Sequence, residues 1–87
     1  MLDIFNDLLP FFRYPFREYG VREYARVAGV SPPTASTILK RLAREGLLIK
    51  RKERIYHLYK ASNSQLYKDL KKAWRNTQWK RKQQRNI

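Results

Sequence analysis

At 87 residues the chain is one domain, and its formal net charge of +13, from 20 basic and 7 acidic residues, asks for a polyanionic partner: nucleic acid first, an anionic membrane surface second. The absence of cysteine excludes disulfides, all-thiolate zinc sites and thiol catalysis, and a single histidine, His57, argues against a histidine-based metal site or a Ser-His-Asp triad. No apolar run nears the ~18 residues of a membrane span, and Met1-Leu2-Asp3 lacks the basic opening of a secretory signal, so the expected location is cytoplasmic, with no membrane contact.

Residues 2–12 place Leu2, Phe5, Leu8, Leu9 and Phe12 at three- and four-residue steps, the spacing of one helical face. Asp3 and Asp7 beside that stripe complement the helix dipole. Pro10 is expected to bend or end this helix, because it removes a hydrogen bond and crowds the preceding turn. Residues 13–20, with Tyr14, Pro15, Phe16, Tyr19 and Gly20, read as an ordered connector whose rings cover the core; aromatics interleaved with arginine can also stack on bases.

A short helix is expected over Val21–Ala28, with Tyr24, Ala25 and Ala28 facing inward and Gly29 closing it in the left-handed conformation. Val30 plugs the corner, Ser31 caps the next helix and Pro32 takes its first position. That helix buries Ala35, Ile38, Leu39 and Leu42, exposes Pro33, Thr34, Ser36, Thr37, Lys40, Arg41 and Arg44, and stops at Gly46. Residues 47–51 and 54–59 alternate as strands on either side of Lys52-Glu53, a hairpin-sized gap. Ser62 and Gln65 suggest a capping box for a last helix that carries Leu66, Leu70, Ala73 and Thr77 on one side, with Tyr67 and Trp74 beside them. Trp79 stands among polar and basic neighbours, and residues 80–87 form a basic frayed end or tail.

The charge is not spread evenly. Residues 1–39 are neutral, whereas residues 40–87 carry 16 basic and three acidic residues. Counted from Val21, the apolar, small and glycine positions of a helix-turn-helix are met by Tyr24, Ala25, Ala28, Gly29, Val30, Ala35 and Ile38. Ala25 lies where two helices cross steeply, so that a larger side chain would force them apart. With Lys40-Arg41-Leu42, Glu45-Gly46-Leu47-Leu48 and Tyr56-His57-Leu58-Tyr59-Lys60, the chain resembles winged helix-turn-helix proteins of the MarR-like and ArsR-like kind, most of all short archaeal transcriptional regulators. The expected fold is mainly α with a small β-hairpin: a three-helix core plus wing over residues 1–60, then an extra C-terminal helix over 61–87.

The resemblance implies a DNA-binding transcriptional regulator of double-stranded DNA, without catalytic residues, metal or cofactor. Its recognition helix, residues 31–45, would enter the major groove with Pro33, Thr34, Ser36, Thr37 and Lys40 near base edges. Arg22, Arg41, Arg44, Lys50, Arg51, Lys52 and Arg54 would hold the DNA backbone, the last four from the wing. The two prolines opening the helix remove N–H groups, so side chains rather than the helix terminus are expected to hold phosphate there. Leu66, Leu70, Ala73 and Trp74 are the expected dimerisation residues of a homodimer, against the alternative that they pack on their own domain. Other readings stay open: a non-specific architectural protein, an RNA-associated winged helix, and an interaction module for a nucleotidyltransferase. No residue constellation marks an effector pocket.

Overall fold

A computed structural model of the chain describes the backbone of residues 4–85 and the side chains of residues 4–76. Leu2, Asp3, the Thr77 and Trp79 side chains and the basic side chains from Lys80 onward lie outside the described residues. The order of elements is α1 (Ile4–Arg13), α2 (Val21–Ala28), α3 (Pro32–Arg44), β1 (Leu48–Glu53), β2 (Tyr56–Ala61) and α4 (Gln65–Arg85). The described residues are thus mainly helical, with one antiparallel two-stranded hairpin paired from Leu48–Ala61 to Glu53–Tyr56.

α1 contributes Leu8, Phe11 and Phe12 to the core, so the buried side includes Phe11 as well as part of the expected stripe. Pro10 neither stops the helix nor keeps it from Arg13; its ring is buried, and its carbonyl accepts the Tyr14 N–H at 3.0 Å. Burial of the ring offsets the backbone bond that proline cannot make. The connector divides. Tyr19 is buried, stands edge-on to Phe11 at 5.1 Å and exchanges two backbone hydrogen bonds with Tyr59, adding a one-residue bridge to β2. Tyr14 and Phe16, which were expected to cover the core, point into solvent instead, because Tyr19 and the aromatics of α1 already fill it.

α2 and α3 form the tightest helical corner, with Ala25 and Ala35 both buried. Gly29 has φ +73°, and the Gly29 and Val30 N–H groups both donate to the Ala25 carbonyl, which closes α2. α3 ends in the same manner at Gly46, φ +81°, where the Leu47 N–H reaches the Leu42 carbonyl at 2.9 Å. Tyr24 stacks on Phe11 and donates its hydroxyl to the Asp7 carbonyl at 2.6 Å, pinning α2 to α1. Burial, then the nearby Asp7 carboxylate, holds its phenol well above the ordinary tyrosine range.

The hairpin turn is Arg54–Ile55, two residues later than the sequence pattern suggests. Arg54 takes φ +56°, a position that glycine or asparagine usually fills, so the turn leaves no compositional mark. Consequently β1 and β2 run to Glu53 and from Tyr56, and only the base of the hairpin, Leu48 and Tyr59, enters the core.

α4 is capped by Ser64, whose hydroxyl accepts the Tyr67 N–H, rather than by Ser62, whose hydroxyl is committed to the Gly46 carbonyl at 2.7 Å. Tyr67 is buried and donates to the Phe11 carbonyl at 2.9 Å, and Trp74 stacks on Phe12 at 5.3 Å. Leu70 and Trp74 therefore pack against their own chain, while Leu66 and Ala73 are exposed. The helix continues to Arg85, into the stretch expected to be a frayed end or tail, and at ~1.5 Å per residue it accounts for much of the molecule's 51 Å long axis.

Candidate nucleic-acid interface

The described charges differ in what they touch. Among the described residues, four ion pairs engage Arg17, Arg41 and Arg51 and no lysine. Arg41 turns from the exposed face of α3 to the Asp7 carboxylate of α1 at 2.9 Å, with both side chains largely covered. Arg51 binds Glu18 through two nitrogens at 2.8 Å and Glu53 at 3.2 Å, a forked geometry that suits guanidinium. These contacts hold the Glu18 carboxyl below its usual range and raise the Arg51 guanidinium further. Of the residues expected to hold a phosphate backbone, Arg41 and Arg51 are thus already committed within the molecule. Sequence reasoning missed both pairings because their partners lie 34 and 33 residues away.

The remaining expected cations form no ion pair among the described residues. Lys40 and Arg44 project from the exposed face of α3, Arg22 from the first turn of α2, and Lys50, Lys52 and Arg54 from the hairpin. Lys50 and Lys52 alternate to the same face of β1 and pair across the ladder with Tyr59 and His57. The His57 imidazole is held below the ordinary histidine range, first by reduced hydration and then by the ammonium groups of Lys50, Lys52 and Lys40. His57 lies across the ladder from Lys52, and Lys40 of α3 is among the cations that act on it.

The helical part of the surface is short on donors of its own. Pro32 and Pro33 carry no N–H, the Thr34 N–H is taken by the Ser31 hydroxyl, and the Ala35 N–H by the Ser31 carbonyl. Within residues 32–35 no backbone donor is left for a phosphate. Pro33, Thr34 and Thr37 are exposed and Ser36 is half-buried. Thr37 donates its hydroxyl proton to the Pro33 carbonyl at 3.1 Å, and the Ser31 hydroxyl donates to that of Thr34 at 3.0 Å. Of the residues expected near base edges, those with a proton still to offer are therefore Thr34, Ser36 and Lys40.

No family model, curated protein or solved structure matches this chain.

Among the described residues, no three metal-ligating side chains cluster, and no helix is long and apolar enough to cross a membrane.

Proposed function

We propose that the chain is a winged helix-turn-helix protein and binds double-stranded DNA, with α3 in the major groove and the hairpin as a wing along the backbone or an adjacent minor groove. The observation that carries this reading is the set of exposed cations without an ion pair among the described residues, Lys40 and Arg44 on α3 and Lys50, Lys52 and Arg54 on the hairpin. A groove-reading helix has to present exposed side chains from a rigid corner, and the Gly29 closure, the Ser31 cap and the buried Ala25 and Ala35 supply one. Lys40 is the residue able to make a strong contact to a base edge, with Thr34 and Ser36 as weaker donors and Pro33 as an apolar contact. Arg22, Arg44, Lys50, Lys52 and Arg54 hold phosphates and set affinity rather than sequence choice. Regulation of transcription, within the cytoplasm, is the role such binding serves. Pairing of two copies through exposed Leu66 and the outer face of α4 would suit a two-fold symmetric site.

A second reading, sequence-tolerant architectural binding, draws support from the hydroxyls of α3, since Thr37 has given its proton to the helix itself. Selection from a random duplex library at near-physiological salt, with sequencing of the bound pool, separates the two. Half-sites about one helical turn apart support a dimeric specific regulator. Tight, salt-sensitive binding without a motif supports the architectural reading, and no retention of duplex at all refutes both.

A further inference from the structure

A second basic surface lies away from α3 and takes no part in the proposed duplex interface. The connector, the base of the hairpin and the first turns of α4 enclose a cleft of about 520 Å³. This falls within the ~300–1,000 Å³ of ligand-binding clefts. Pro15, Phe16 and Ile49 form its apolar wall, and Lys60, Lys68 and Lys71 stand around it. Phe16 is 95% exposed, and Ile49 is 46% exposed although it sits at the base of β1. An aromatic ring held in water beside a rigid proline adds nothing to this core, and such a ring is what anchors a protein interface. None of the three lysines forms an ion pair among the described residues. Glu18, whose charge Lys60 feels, is bonded to Arg51 instead.

We infer that this cleft binds an acidic peptide segment of a partner protein, with an aromatic or large aliphatic side chain against Phe16, Pro15 and Ile49. Carboxylates flanking that side chain reach Lys60, Lys68 and Lys71. The uncompensated lysines select an acidic partner, and the apolar wall selects a peptide. A duplex offers phosphates and groove edges whose apolar group, the thymine methyl, is too small to cover three apolar side chains. A single strand stacks bases on flat rings, and here one ring is continued by a proline and an isoleucine. The inference is independent of duplex binding, because no residue of the cleft belongs to the α3 and hairpin-tip set.

The test is a random-peptide phage selection on the full chain, with the selected peptides then titrated against the Phe16→Ala and Lys68→Glu variants and the double variant. Both substituted side chains are exposed, and thermal melting verifies that the variants fold. The expected pool is acidic with an aromatic or leucine, and its consensus peptide shifts the amides of Phe16, Ile49, Ala61 and Lys68. Phe16→Ala and Lys68→Glu each weaken that peptide at least about tenfold, as removal of an interface anchor does, and Lys52→Ala leaves it unchanged. The inference is overturned by an empty pool, by acidic peptides indifferent to both substitutions, or by an oligothymidylate that shifts the same amides more strongly than any peptide.

Discussion

Lys52 and Arg51 are neighbours on β1 with the same formal charge, yet their removal should read differently in a salt titration. Lys52 is exposed, opposite His57 and without an ion pair among the described residues. Arg51 is held by Glu18 and Glu53, so the local trio carries net negative charge and has no cation to spare. If Arg22, Lys40, Arg44, Lys50, Lys52 and Arg54 each neutralise one phosphate, six contacts at ~0.9 each give a log–log salt slope of about −5.4. Affinity then falls roughly a thousandfold between about 50 and 200 mM salt. Lys52→Ala should bring the slope to about −4.5, whereas Arg51→Ala should leave it near −5.4. Fluorescence anisotropy of a labelled duplex across a salt series measures both. An equal loss of slope in the two variants would mean that Arg51 leaves Glu18 for a phosphate, and the assignment of Arg51 to a structural role would be wrong. No change in either would remove the hairpin from the interface.

Three further outcomes follow from the same geometry. Gly29→Ala should lower stability by about 1–2 kcal/mol in urea denaturation, because a Cβ there meets nothing within 4 Å and only the left-handed φ is penalised; no measurable loss would put the corner's closure in doubt. Asp7→Ala leaves a largely covered Arg41 without its carboxylate, and should cost about 1–2 kcal/mol, between the values for exposed and buried pairs. At this chain length that is a fall of roughly 5–15 °C in Tm, and a shift below about 2 °C would contradict it. Duplex binding should strengthen as the pH falls through the histidine range. The free imidazole of His57 is held low first by reduced hydration and then by the ammonium groups of Lys50, Lys52 and Lys40; phosphates brought beside it would screen those cations and favour the imidazolium, so the complex takes up a proton. The gain is complete below the free-state value and absent above the bound-state one, and His57→Gln should abolish it; a wild-type affinity that stays flat across this range would place His57 away from the phosphates.

The α2–α3 corner was legible because its signals are local. A glycine that must take positive φ, a serine followed by proline and a three-four spacing of apolar residues all act within one helical turn. The hairpin was legible as a hairpin but not in its register, since Arg54 occupies a position where sequence offers no turn residue. Two serines two places apart hid the true cap of α4, because only the fold commits Ser62 to Gly46. The connector misled in the opposite sense: its rings look alike in sequence, and only the filled core decides that Tyr19 enters while Tyr14 and Phe16 stay out. For the interface, the charge excess and the residues carrying it were readable. Which cations are already spent was not, because Asp7–Arg41 and Glu18–Arg51 join residues far apart in the chain. The acids of the neutral first half were the available hint.

The most direct test of the central claim is a titration of the isotope-labelled chain with a duplex from the selected pool, followed by amide chemical shifts. The account predicts that the perturbed amides cluster on Thr34, Ser36, Thr37 and Lys40 of α3 and on Lys50, Lys52, Arg54 and His57 of the hairpin. Shifts confined to Phe16, Lys60 and Lys68, or the absence of any specific shift at near-physiological salt, would contradict it.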